Sequence, residues 1–148
     1  MTDIVDKATR SKMMSNIRGK NTRLEVIIRK ELFARGLRYR LHDKRLPGKP
    51  DMVFPKFKAV IFVNGCFWHG HDCGLYREPK SNSAFWVSKI SRNRENDDRT
   101  RHVLMQSNWR VLIVWECAIR LRRYSIYDVI DMIAVWLTSA ELSGEIRC

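Results

Sequence analysis

Apolar positions along the chain fall into alternating helical and strand-like groups. Leu24, Ile27, Ile28 and Leu32 recur at helical spacing behind a T-x-x-E capping box, Thr22 to Glu25, and Gly36 is a natural stop. Residues 22–35 therefore read as a helix. "LPGKPD" (46–51) reads as a turn, "DMVF" as a short strand and "FKAVIFVNG" (57–65) as a longer buried one. Residues 81–107 form a charge-rich helix or pair of helices, and "WRVLIVWE" (109–116) is another buried strand. Ser125 and Asp128 cap a last helix whose apolar face carries Ile126, Val129, Ile130, Ile133 and Leu137. The order helix, two strands, helix, strand, helix predicts an α/β domain with a mixed central sheet flanked by helices. No internal repeat or low-complexity tract interrupts it.

The first 21 residues lack apolar periodicity. They are polar and basic, and predict an arm that orders on a partner, ahead of a single domain spanning 22–148. Charge sharpens that expectation. The chain of 148 residues has 28 Lys and Arg against 16 Asp and Glu, a net charge of +12, and residues 1–49 alone carry +9. Such a surplus points to a polyanion, nucleic acid first. The chain starts with a polar stretch that lacks the apolar core of a secretory signal, and no apolar run is long enough to span a bilayer. A cytosolic setting follows, where four cysteines suggest metal or chemistry before disulfides.

The chemistry concentrates in "VNGCFWHGHDC", residues 63–73. Cys66, His69, His71 and Cys73 crowd one glycine-rich loop, and Cys117 follows a buried strand. Thiolates with imidazole suit tetrahedral zinc, but these are five donors for four places, and the spacing does not choose among them. A histidine left over beside a metal site is a candidate acid or base. Cys148, at the far end of the chain, is set aside. Asp51 follows Pro50 at the mouth of a strand, with Glu25 on the preceding helix. "PD" before a strand opens a nuclease signature in which Asp holds Mg²⁺, yet the usual Glu-x-Lys on the next strand is replaced here by Val63-Asn64-Gly65. The aromatic pairs Phe67-Trp68 and Phe85-Trp86 sit in polar surroundings, where exposed rings can wedge between base pairs.

Five segments in order, "DKATRSKMM" (6–14), "LPGKPDMVF" (46–54), "VIFVNGCFWHGHDC" (60–73), "FWVSKISRN" (85–93) and "WRVLIVWECAIR" (109–120), together resemble the very short patch repair (Vsr) DNA mismatch endonucleases. The resemblance implies a restriction-endonuclease-like fold with one structural zinc. It implies Mg²⁺-dependent nicking 5′ of the thymine in T·G mismatches, which arise when 5-methylcytosine deaminates, so a cytosine methyltransferase is the implied companion. It assigns zinc to Cys66, His71, Cys73 and Cys117, and leaves His69 as general base. It gives Mg²⁺ to Asp51 and the main-chain carbonyl of Val63, with Glu25 in the outer shell. Phe67, Trp68 and Trp86 become a wedge, Lys89 and Asn93 approach base edges, and Met14 inserts from the arm. It also implies a monomer on double-stranded DNA in the bacterial cytoplasm, at the nucleoid, with mismatch-repair proteins as possible partners. In one respect the chain departs from the family pattern: Asn64 stands where that pattern has a second histidine. An amide cannot take a proton at neutral pH, which leaves His69 as the only nearby base. Two other readings share the charge, aromatics and metal site: a non-catalytic zinc-containing binder of distorted DNA, and a restriction-type nuclease without mismatch preference. Asp51, Glu25 and His69 favour an enzyme.

Overall fold

Two continuous apolar runs, buried on both faces, build the centre of the molecule. In the computed structural model, which describes residues 23–148, these are β3 (Ala59–Asn64) and β4 (Arg110–Trp115). They pair in parallel, from Ala59 opposite Arg110 to Asn64 opposite Trp115. Ala59, Ile61, Leu112 and Val114 bury one face of the sheet, and Val60, Val111, Ile113 and Trp115 the other, as the period of two requires. Three shorter strands complete a five-stranded sheet in the order β1-β2-β3-β4-β5: β1 (Arg40–Leu41), β2 (Met52–Phe54) and, at the far edge, β5 (Ser143–Ile146). The pairs β1–β2 and β2–β3 are antiparallel, while β4–β5 is parallel. The mixed sheet is thus as expected.

Helices cover both faces. Helix α1 (Arg23–Ala34) contributes Ile28 and Leu32 to the first face. There they meet α4 (Ile126–Thr138), which adds Val129, Ile130, Ile133, Trp136 and Leu137. The α4 capping box forms as read: Asp128 N–H donates to Ser125 Oγ (3.1 Å) and Ser125 N–H to Asp128 Oδ2 (3.2 Å). On the second face lies α2 (Ser83–Gln106), a single 24-residue helix rather than a pair, connecting β3 to β4. A one-turn helix, α3 (Cys117–Arg120), follows β4 directly.

The differences from the sequence reading are local. The strand expected over 57–65 begins at Ala59, because Pro55–Phe57 form a 3₁₀ turn and Lys58 turns left-handed (φ 52°). Three elements were unread: β1, whose residues are both exposed; α3; and β5, whose Ser-Gly-Glu-Ile lacks alternation. The arm of residues 1–21, Met14 in it and the Thr22 half of the first capping box lie outside the described residues. Among the described residues no helix is long and apolar enough to cross a membrane. Parallel pairing of β3 and β4 carries both strands to the same edge of the sheet, and the loop after β3 and the turn after β4 meet there. Open α/β sheets place ligands at that edge.

Candidate active site and metal centre

Four sulfur and nitrogen donors converge at this edge. One ligand atom each from Cys66, His71, Cys73 and Cys117 lies within 4.8 Å of the others. Local backbone bonds wind the loop: His71 N–H donates to Cys66 O (3.0 Å) and Gly70 N–H to Phe67 O (3.2 Å). Gly70 is required there. Its φ is +55°, and a Cβ would stand 2.5 Å from Ile90 Cγ2 on α2. The segment Trp115-Glu116-Cys117 clamps the loop with three consecutive residues. Trp115 stacks on the His71 ring (3.8 Å between centroids, 4° between planes). Glu116 Oε1 accepts from Cys66 N–H (3.0 Å), and Cys117 contributes its thiol. His71 Nδ1 stands 3.6 Å from Cys66 Sγ and 3.5 Å from Cys117 Sγ. On one tetrahedral zinc a sulfur and a nitrogen stand about 3.6 Å apart, so this donor set fits such an ion. Burial pushes the Cys66 thiol up strongly and Cys117 up to about 11. Metal binding would have to displace those protons. Cys148 is not remote: its N–H donates to Cys117 Sγ (3.4 Å), and the neighbouring Arg147 ties the chain end to Asp72 (2.8 Å).

A second cluster lies at the start of β2. One donor atom each from Glu25, His42 and Asp51 falls within 4.8 Å of the others, and both carboxylates are buried. Asp51 Oδ2 accepts a short bond from Val63 N–H (2.6 Å). Glu25 Oε2 meets Arg29 Nη1 and His42 Nε2, each at 3.1 Å. The turn that carries Asp51 packs against α2, and Gly48 makes this possible: its φ is +74°, and a Cβ would lie 2.3 Å from Thr100 Cγ2. Burial pushes the Asp51 carboxyl up to about 8, Val63 N–H opposes the shift, and Glu25 adds to it. Two buried carboxylates side by side raise one another's pKa, and a cation bound between them would relieve that repulsion. His42 went unread in the sequence, and its ring stands beside Glu25 and Asp51 in addition to the imidazoles of His69 and His71.

The Asp51 shift sets a stability profile with a definite sign. The unfolded carboxyl ionises in the ordinary range, near 3.9, whereas the folded one holds its proton to about 8. Stability from this group is full below the unfolded value and is lost as pH rises through the folded one. Without divalent cations the wild type should melt lower at pH 8 than at pH 5, and Asp51→Asn should narrow that gap. Melting curves of both proteins at the two pH values check this, and an undiminished gap in the variant would contradict it.

Between the clusters, His69 Nδ1 hydrogen-bonds Asp97 Oδ2. In the neutral tautomer that donates Nδ1–H to Asp97, Nε2 is left as an acceptor. Asp97 was also unread. It belongs to a stripe along α2, where Trp86, Ile90, Asn93, Asp97, Thr100 and Leu104 recur at steps of three and four. Asn93 Nδ2 donates to Trp68 O (2.9 Å), bracing the aromatic loop. Phe67, Trp68 and Trp86 pack as a trio with centroids 5.2–5.6 Å apart, all half-buried. Phe85 stacks edge-on against Trp86 and is exposed, and Lys89 is half-buried on the same helix. Asp51, Val63, Asn64, Trp68, His69 and Asp97 line one cleft of about 600 Å³, to which Lys49, Arg101 and Arg120 add positive charge. Asn64 itself is buried at the end of β3. The cleft therefore joins the buried Asp51 carboxyl, an oriented imidazole, aromatic rings and cations.

Comparison with known proteins agrees with that chemistry. A family model described as DNA mismatch endonuclease Vsr matches residues 2–75. The DNA mismatch endonuclease Vsr of Escherichia coli is 41% identical over 147 residues, covering 99% of this chain and 94% of that protein. The type II nicking enzyme V.NmeAIP of Neisseria meningitidis is 47% identical over 120 residues, 81% of this chain and 86% of its own. The type II nicking enzyme V.XorIIP of Xanthomonas oryzae is 47% identical over 117 residues, 79% and 86%. The matches span the Cys/His loop and the Asp51 turn, and the chain belongs to the Vsr family of DNA mismatch endonucleases.

Proposed function

We propose that this endonuclease nicks one strand of duplex DNA on the 5′ side of the thymine in a T·G mismatch, using Mg²⁺ at Asp51, with a structural zinc on Cys66, His71, Cys73 and Cys117. The observation that carries this reading is the shared cleft: Asp51, His69 and Trp68 all line it. When bound, Mg²⁺ would stabilise charge on the phosphoryl oxygens. Asp51 would hold it. A strand residue sends its N–H and C=O to the same side, so the Val63 carbonyl faces the side on which its N–H meets Asp51. Glu25 adds negative charge from α1. His69 Nε2 takes the proton of the attacking water while Asp97 holds the ring in the required tautomer. Lys49, Arg101 and Arg120 meet phosphates, and Lys89 and Asn93 approach base edges. Met14 and the basic arm close on the duplex.

The zinc would tie the loop bearing His69 and Trp68 to the end of β4. T·G arises by deamination of 5-methylcytosine, so a cytosine methyltransferase makes the precursor of the substrate. One chain supplies every group named here, which supports a monomer acting on cytoplasmic DNA.

His69→Ala should slow single-turnover nicking by roughly 10²–10⁴-fold with zinc content unchanged. Asp97→Asn keeps the shape but presents an amide to Nδ1, and should lose a smaller part of the same rate. Single-turnover time courses with parallel metal analysis check both variants. Loss of zinc in His69→Ala would mean that His69, not His71, is the ligand.

Trp68 tests the mismatch reading. A wedge contributes where stacking is already weak, as at a mismatch. Trp68→Ala should narrow the affinity ratio between T·G and matched duplexes by about 10-fold, in line with roughly 1–3 kcal/mol for an aromatic–base contact. Equilibrium titrations on the two duplexes measure it, and an unchanged ratio would remove Trp68 from mismatch recognition.

A further inference from the structure

We propose that His42 is a nitrogen donor to the catalytic divalent cation, so that this site is a mixed imidazole–carboxylate site and not an all-oxygen one. The proposal rests on the reading that a divalent cation binds at Asp51, and it concerns a residue that reading does not use.

His42 reaches the cluster through an unusual backbone. It follows β1 in the left-handed region, φ 48°, where a side chain other than glycine is uncommon. Its N–H donates to Asp51 O (3.3 Å), continuing the register that sets Leu41 against Met52. That placement holds the two side chains on one side of the hairpin. The ring lies between the carboxylates: Nε2 is 3.1 Å from Glu25 Oε2, and Nδ1 is 3.8 Å from Asp51 Oδ1.

The two ring nitrogens then have different tasks. In the tautomer that carries its proton on Nε2, the ring donates to Glu25 Oε2 and turns the Nδ1 lone pair toward Asp51. A carboxylate that accepts from one nitrogen while the other binds metal is the common way proteins orient a ligating histidine. Distance allows it. Two donors at about 2.1–2.2 Å from one ion can be as far as roughly 4.2–4.4 Å apart, and Nδ1 and Asp51 Oδ1 are closer than that. Glu25 thereby has a definite place, orienting the imidazole from the buried side.

Cation preference follows. Carboxylate and carbonyl oxygens suit both Mg²⁺ and Mn²⁺, whereas an imidazole suits transition-metal ions, and Mn²⁺ accepts such a nitrogen more readily than Mg²⁺ does. The site should hold Mn²⁺ more tightly than Mg²⁺ by a margin that depends on His42. The competing arrangement is a ring that bridges Glu25 and Asp51 as an ion pair and leaves the cation to oxygen donors.

Pulsed electron paramagnetic resonance of bound Mn²⁺ separates the two. The full-length, zinc-loaded protein is bound to a duplex already nicked at the scissile position, so that no turnover intervenes. The wild type should show ¹⁴N modulation from a directly bound imidazole. His42→Gln should lose it, keep its zinc, and bind Mn²⁺ at least about 10-fold more weakly, with a smaller change for Mg²⁺. His42→Asn serves in the same way should His42→Gln fold poorly. Mn²⁺ bound to the wild type without nitrogen modulation, or modulation that survives in the folded variant, would overturn the proposal while leaving the Asp51 cation site intact. No Mn²⁺ bound to the wild type at all would overturn both.

Discussion

Asp51→Asn is expected to abolish nicking, with a loss of at least about 10³-fold, while binding of T·G duplex is retained or slightly tightened. Lewis-acid stabilisation of the phosphoryl oxygens is worth several kcal/mol, and each 1.36 kcal/mol is about tenfold in rate. An amide is a poor ligand for a hard dication. Below about pH 8 the cation-free carboxyl holds its proton, so the amide keeps both its shape and its neutrality; above that pH the substitution also removes a charge that repels phosphate. Its neighbours suit the change: Val63 N–H, 2.6 Å from Oδ2, can donate to the amide oxygen as it does to the carboxylate. The variant should therefore fold and bind. Single-turnover nicking together with equilibrium binding checks this, and full activity in Asp51→Asn would end the metal-nuclease account.

Cys117→Ala has the other large effect, on the fold. The residue is fully buried beside the end of β4, and its sulfur faces His71 Nδ1 at 3.5 Å. The loop it would help hold has few apolar residues of its own. Losing one of four donors should release the zinc, because the remaining Cys66 thiol is buried and reluctant to ionise. Loss of a structural metal belongs to the exceptional class of substitutions, upward of about 4 kcal/mol, which at this chain length is roughly 10 °C or more. Nicking should fall as well, since His69 and Trp68 ride on the same loop. Elemental analysis and thermal melting test the point. Full zinc content or an unchanged melting temperature would contradict it.

A metal cluster was legible because four donors, His69 among them, fall within eight residues and Cys117 follows a strongly apolar strand; the choice of Cys66, His71, Cys73 and Cys117 came from the family resemblance, not from the spacing. The central strands and α4 were legible from strong local patterns: continuous apolar runs in β3 and β4, and a capping box followed by an apolar stripe in α4. Asp97 was hidden by its surroundings. "NRENDD" looks like a solvated face, and the stripe from Trp86 to Leu104 that presses on the site is half polar, so apolar periodicity passes over it. His42 was hidden by distance along the chain. The signal was present in the "LPGKPD" turn: read as a hairpin, it sets residue 42 opposite Asp51, as the backbone bond between them bears out. β5 carries Gly144 where a strand usually has a side chain, because a Cβ there would lie 2.9 Å from Trp136 Nε1. Packing against a tryptophan, not local propensity, chose that residue.

The central claim is cation-dependent nicking of one strand at T·G. A single assay addresses it most directly: duplexes labelled separately on each strand, carrying either T·G or the matched pair, incubated with the zinc-loaded protein in the presence and absence of Mg²⁺. The account predicts one cut, on the thymine strand and 5′ of the mismatched base, only with Mg²⁺ and only at T·G. Cleavage of both strands, equal cutting of matched DNA, or nicking that persists when divalent cations are absent would contradict it.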